Sequence, residues 1–480
     1  MLTIRSSTVQ LLREFVQKGG HIVCTDSLPL YVDAERSDEA WKLPVEYTTL
    51  DTVADILPTP YVRIDTIYSR LFAQSRKTEH GVYTVVMNMD RDKTYHEVTI
   101  QFPDTGLIEL WDLRTGEVVP LYYVDTITVD FAPNQEICLF VKEMQCEEPI
   151  HLLRNLPSCV SVKCSGPFAY ERNEFNVCVL DMAEYQVNGQ WYPKEDIILA
   201  DRQIRRALGL PLRGGEMVQP WYAGFSEQPV MGNIKLRFSF HITTMPDTIY
   251  LAMETPEEFQ IRINGQENAV CVTTQRWIDA CFTVLEIAPQ TCSAGMNYIE
   301  LEAGMRNNLN LEALYLLGDF GVHLNGTEAD ITELPAVLMP GDITKQGFPF
   351  YSGGITYVVP AEPGAQKLSL DGYEAALLKG KGNGMERILY TAPYVLPISD
   401  LIENGVLKLQ YIFTRRNTFG PLHYKPLRAE GYGPFTFTEE REELLLRDSY
   451  SLLPQGMISD ISLIYSAEAQ DGIENTTEKK

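Results

Sequence analysis

No stretch of the chain approaches the ~20 consecutive apolar residues that a membrane-spanning helix needs, and Met1 to Arg5 carry no apolar run of the kind that opens a secretory signal. The expectation is a cytoplasmic polypeptide that meets no membrane. Basic residues are scarce as well: 40 Lys and Arg stand against 65 Asp and Glu, a net charge of -25. So negative a surface repels phosphate backbones and anionic headgroups, which argues against nucleic acid as a partner. The nine cysteines, at 24, 138, 146, 159, 164, 178, 271, 281 and 292, are odd in number and scattered singly. That excludes a compact disulfide framework and points to reduced thiols. Cys159 and Cys164 would supply half of a zinc site, but no second Cys/His pair follows at comparable spacing.

Signatures of catalysis are missing too. There is no Gly-x-Ser-x-Gly elbow, and Ser352 falls in β-rich sequence rather than at a strand-to-helix turn. None of the seven histidines stands at His-x-x-x-His spacing. Glu171 with Glu174, Glu254 with Glu257 and Glu258, and Glu312 with Asp319 are the most pair-like carboxylates, yet in a chain this acidic such sets arise from composition. Glycoside hydrolysis needs two carboxylates facing each other across a sugar, one of them held protonated, and sequence spacing supplies neither condition. No catalytic residue is assigned.

What is present is 480 residues, 45% of them hydrophobic, enough for several cores. Ser7 and Gln10 read as a capping box, Leu12, Phe15 and Val16 as a helical stripe, and Gly19 with Gly20 as its stop before a strand at 21–24. A helix feeding a buried strand is one unit of a parallel α/β sheet, and this one lacks upstream neighbours. Beyond it the pattern becomes period two. Tyr83, Val85 and Met87 alternate, as do Val98, Ile100 and Phe102, then Ile137, Leu139 and Val141. Leu236, Phe238, Phe240 and Ile242 alternate most cleanly, with Arg237, Ser239 and His241 opposite; Asn264-Gly265 is a type I′ hairpin signal. The expected fold is mainly β. An α/β remnant (1–58) precedes a small antiparallel sandwich (59–147), a jelly-roll sandwich (148–332), a second jelly roll (333–468) and a frayed tail (469–480).

Certain words are familiar. Phe348 to Gly353 after Gly341, Asp342, Gln346 and Gly347, then Ala392 to Tyr394, and Arg416 and Asn417 with Gly420, Pro421 and His423, resemble the C-terminal sandwich of bacterial glycoside hydrolases of the α-L-rhamnosidase type, family 106-like. Tyr83 to Asn88 with Trp111 to Glu117 is similar to the small sandwich after their barrel. Asn176 to Asp181, Ile261 to Gly265 and Glu312 to Val322 are similar to the galactose-binding-like jelly roll, and Leu11 to Cys24 to an amidotransferase-like α/β element. The resemblance implies a catalytic (β/α) barrel of about 250 residues. This sequence holds at most one such unit, so the expectation is a chain inactive alone: the non-catalytic β-sandwich portion, partnered by a barrel-bearing polypeptide and by carbohydrate or a glycoside. The rivals are a free-standing carbohydrate-binding protein and an intact hydrolase using loop carboxylates.

Sugars are held by aromatic faces flanked by polar groups, so loop aromatics are the candidates. These are Trp191 after Asn188-Gly189, Trp221 and Tyr222 in a Gly/Pro-rich connection, and Arg276 with Trp277 between two strands; His423 joins them from a turn-rich segment beside Arg415 and Arg416. Interdomain packing is the commoner use of a large aromatic, and a loop hydrogen bond the commoner use of His423. No cofactor is expected. Calcium is the metal ion considered, in a structural role, with Asp181, Asp342 or Asp400 as ligands, although no contiguous calcium loop is present.

Overall fold

A computed structural model describes residues 3–56, 60–64, 70–113, 116–142, 159–212, 228–267, 269–426 and 441–466. The chain is mainly β and divides into two compact units, Met1–Leu153 and Arg154–Lys480. No helix among the described residues is long and apolar enough to cross a membrane.

In the first unit the helix Ser6–Gln17 forms as expected, but not by the expected cap. Its N-cap is Arg5, which makes no side-chain capping bond, and the Ser6 amide donates instead to Asp33 Oδ1. The strand Ile22–Cys24 finds one parallel partner, Val45–Tyr47. Only Val9 of the helix is buried, while Leu11 and Phe15 lie exposed. A three-stranded sheet of Thr3–Ile4, Tyr31–Val32 and Glu35–Arg36 lies in the same part, and a six-stranded antiparallel sheet follows. Val98 and Ile100 of Tyr95–Trp111, Phe131 of Val118–Phe131 and Leu139 of Glu136–Lys142 share one core. In Gly81–Asn88 the faces are the reverse of a simple hydrophobic reading: Thr84 and Val86 are buried, whereas Tyr83 stacks on Phe140 on the other side and Met87 is exposed.

The second unit holds two sandwiches. In one, a five-stranded sheet (Asn176–Leu180, Leu314–Gly318, Ile249–Glu254, Phe282–Ile287, Val270–Val272) packs on a seven-stranded sheet built around Gly232–Ile242 and Gly295–Met305. Leu236, Phe238, Phe240 and Ile242 all enter the shared core, as their alternation dictates. Asn264 and Gly265 both take positive φ, at 49° and 78°, the backbone that a type I′ hairpin requires. In the other sandwich a four-stranded and a five-stranded sheet enclose Ile355, Tyr357, Leu409 and Leu463.

The connectivity is not sequential. Cys159–Cys164 pairs with Ile461–Ser466, and Ala169–Arg172 pairs with Gly354–Pro360, so both early strands belong to the sandwich made mostly from the end of the chain. The other sandwich is therefore an insertion. The chain leaves after Arg172 and returns after Thr332, and beside these crossings Phe168 and Leu338 bond to each other's backbone at 2.8 and 3.0 Å.

The helix Ile197–Leu208 closes one side of the inserted sandwich. Asp196 caps it by accepting from the Ile198 and Leu199 amides, and Gly209 ends it with φ 68°. Inside it Arg205 is 0% exposed; it donates to both oxygens of Asp201 and to the carbonyls of Pro211, Asn307 and Leu309. Removing one partner of a buried ion pair leaves the other charge stranded, at a cost of ~3–5 kcal/mol. Asp201→Ala should lower the urea-unfolding free energy of this unit by that amount; a loss below ~1 kcal/mol would show that the carbonyls alone satisfy the guanidinium.

Candidate functional site

A cavity of about 710 Å³ in the second unit opens where the outgoing and returning connections run past each other. Tyr170 to Phe175 form one wall, Leu334 to Ala336 another, and the loop Gln275 to Ile278 the third. Tyr170 ties two of the walls by donating its hydroxyl to the Pro335 carbonyl.

Two carboxylates reach this cavity, Glu174 and Asp319, and each is clasped by an arginine. Arg415 grips Glu174 in bidentate fashion, Nη1 to Oε2 and Nη2 to Oε1 at 2.6 Å each, and also donates to Ser352 Oγ at 3.3 Å. Arg172 Nη2 donates to Asp319 Oδ1 at 2.5 Å. A third guanidinium, Arg276, stands exposed at the rim and makes no ion pair with any described residue. Counted by formal charge, the lining residues Arg172 and Arg276 balance Glu174 and Asp319, so the cavity is neutral within a chain of net charge -25, with Arg415 pairing Glu174 from beside it.

The sequence candidates separate in space. Arg276 and Trp277 both line the cavity. Trp277 is only 6% exposed and packs among Phe282, Tyr315 and Phe419, with centroids 4.9, 5.0 and 5.8 Å away, so most of its ring is core. Its indole N–H has no hydrogen-bond partner. Trp191 is 39% exposed on the outer face of the seven-stranded sheet, with the Arg237 guanidinium 4.7 Å above its ring, and does not line the cavity. Trp221 and Tyr222 lie outside the described residues. Of the pair-like carboxylates, Glu171 bonds Lys408 and Glu258 bonds Arg306. Glu174 and Asp319, drawn from two different sequence pairs, are the two that meet at one cavity, and their spacing gave no sign of it.

His423 is buried away from the cavity. Its Nδ1 faces the carbonyls of Leu446 and Ser449 at 3.0 and 3.1 Å, and its Nε2 faces Asp181 Oδ2 at 3.1 Å. Tyr450 donates its hydroxyl to the other oxygen of Asp181 at 2.9 Å. Asp196 completes the group: one oxygen each of Asp181 and Asp196 and one ring nitrogen of His423 lie within 4.8 Å of one another. Burial opposes a charge on the His423 ring, but the adjoining Asp181 carboxylate, then Asp196, outweigh it and raise its pKa from 6.5 to about 9. Burial lifts the Asp196 carboxyl from 3.8 to about 6, against the pull of His423 and of the helix amides. No motif marks Asp196 in the sequence, because its place is set by the helix Ile197–Leu208 that it caps. The other two calcium candidates are engaged elsewhere: Asp342 accepts from Thr344 and the Gln455 amide, and Asp400 is held by the Arg387 guanidinium.

Arg276 and Trp277 differ in what they carry. Trp277→Ala removes a buried aromatic and should cost ~3–5 kcal/mol by chemical denaturation. Arg276→Ala should change stability by no more than ~0.5 kcal/mol. A comparable loss in both would show that the loop is purely structural.

No family model matches the chain, and no curated protein does. Among solved structures it is similar to a rhamnosidase from Novosphingobium sp. PP1Y, at 12% identity and a TM-score of 0.23 over 64% of this chain and 29% of that one. It is similar also to a β-D-mannosidase from Dictyoglomus thermophilum, at 12% identity and a TM-score of 0.20 over 54% and 32%. A third is a family 86 β-porphyranase from Bacteroides plebeius, at 12% identity and a TM-score of 0.14 over 52% and 37%. The matched region thus spans about a third of the length of each of these proteins.

Proposed function

We propose that this chain is the non-catalytic β-sandwich portion of a glycoside hydrolase related to α-L-rhamnosidases, supporting a catalytic barrel carried on other sequence and contacting carbohydrate through the cavity at Arg276 and Trp277. The observation that carries the reading is the state of the two carboxylates there. A general acid must hold a proton in an apolar setting, and its partner must be free to attack or to activate water. Both oxygens of Glu174 are taken by Arg415, and Asp319 is bonded to Arg172. Such groups are built to bind and orient.

The rest of the cavity suits a saccharide. Pyranose rings offer an apolar C–H face and a rim of hydroxyls. Phe175, Trp277 and Ile278 together give the cavity apolar lining for the first requirement, while the Gln275 amide, Arg276 and the clasped carboxylates offer donors and acceptors for the second. An arginine without an ion-pair partner is solvated in the free protein and gains charge-assisted hydrogen bonds when sugar oxygens replace that water.

Isothermal titration of the purified chain against rhamnose-, galactose- and mannose-containing oligosaccharides tests the reading. One of them should bind saturably, and Arg276→Ala should weaken that binding about tenfold or more without lowering the melting temperature. Turnover of aryl glycosides by the pure chain, abolished in Glu174→Gln, would overturn the non-catalytic assignment.

A further inference from the structure

Away from the cavity, the group of Asp181, Asp196 and His423 brings together two carboxylates and an imidazole from three separate parts of the chain. Asp181 leaves the strand Asn176–Leu180, Asp196 ends Gln190–Asp196, and His423 arrives from the loop after Arg416–Phe419. Each has its outward atom anchored. His423 Nδ1 donates to the Leu446 and Ser449 carbonyls, Asp181 Oδ1 accepts from Tyr450, and Asp196 Oδ1 accepts from two helix amides. Nε2 of His423 and Oδ2 of Asp181 then face each other directly at 3.1 Å.

We infer that this group is a structural site for one divalent transition-metal ion, with zinc the best fit, held by His423 Nε2 and by one oxygen each of Asp181 and Asp196. Three features argue for it. First, the Nδ1–H of a metal-bound histidine is characteristically donated to a carbonyl or carboxylate, which fixes the tautomer that leaves Nε2 free; His423 has that arrangement. Second, ligand atoms that share a zinc ion at 2.0–2.2 Å stand about 3–3.5 Å apart, so the 3.1 Å separation already fits, and Asp196, whose oxygen lies within 4.8 Å of the other two atoms, has to close by up to about 1.8 Å. Third, two carboxylates and a neutral imidazole carry a formal charge of -2, which one dication balances. The mixture of imidazole and carboxylate favours zinc over calcium or magnesium, which take oxygen ligands almost alone. The ion would bind the inserted sandwich to the segment that supplies His423, independently of any saccharide.

The full chain, stripped with chelator and dialysed, is titrated with zinc chloride by calorimetry while its melting temperature is followed, and cobalt(II) is then substituted for zinc. The expected result is one ion per chain, a higher melting temperature, and weak visible d–d bands without thiolate charge transfer. Asp196→Asn keeps the helix cap, since asparagine caps as well as aspartate, but gives up the ligand charge; it should weaken zinc binding at least tenfold. Equal affinity in wild type and Asp196→Asn, no uptake by the wild type, or strong thiolate bands assigning the metal to the exposed Cys271 and Cys281 would each overturn the inference. The cobalt spectrum of the wild type decides the matter even if the variant does not fold.

Discussion

The contact between His423 and Asp181 fixes the path of the segment from Arg415 to His423, and the second unit is assembled along that segment. Arg415 reaches Glu174, Asn417 bonds both ways with the Leu453 backbone, Thr418 donates to the Phe350 carbonyl, and Phe419 lies against Trp277. These partners lie on both sandwiches. A net hydrogen bond contributes only ~1 kcal/mol, but a buried charged pair cannot be broken without stranding a charge, so this contact sets the register and the others follow it. The surroundings of the pair are aromatic, with Phe350 packed edge-on to Tyr450 and Tyr450 beside the His423 ring.

This arrangement explains why the cavity has the chemistry it does. Trp277 in its lining packs against Phe419, and one of its carboxylates is neutralised by Arg415 from the same segment. The segment therefore furnishes both the packing of Trp277 and the pairing of Glu174. Arg276, one residue along the chain from Trp277, is exposed and makes no ion pair with a described residue. A packed aromatic beside such a cation costs little to organise when a ligand arrives, because only one flexible side chain has to be ordered.

Much of the local fold was legible in the sequence. The alternation from Leu236 to Ile242 and the Asn264-Gly265 turn are dictated by side-chain period and by backbone sterics, both of which act over a few residues. Partner choice is not local. Nothing in the residues 159–164 says that they pair with 461–466, since a period-two pattern names the buried face and not the neighbouring strand. Gly81–Asn88 failed for a related reason: Tyr83 and Val85 look like the core face, but an aromatic cluster with Phe140 and Trp111 occupies the second face of the sheet. Residue type and loop position named Arg276 and Trp277, which line the cavity, together with Trp191 and His423, which do not. Glu174 and Asp319 could be joined only by the fold. His423 stood out as a histidine in a turn-rich loop, whereas its burial against Asp181 depends on two strands and a helix far away in sequence.

The insertion supplies the last constraint. A sandwich spliced into another through two connections is held at both, and here the connections are stitched side by side, by the Phe168–Leu338 backbone pair and by Tyr170 on Pro335. Asn176, fully buried, adds a further stitch by donating to the carbonyls of Phe320 and Gly347. Two adjacent crossings alone would still permit a hinge about the line joining them. The Arg415–His423 segment provides a third attachment, since it meets the inserted sandwich at Glu174, Trp277 and Asp181. Two of those three residues line the cavity, so the attachment that opposes hinging also braces the cavity's walls.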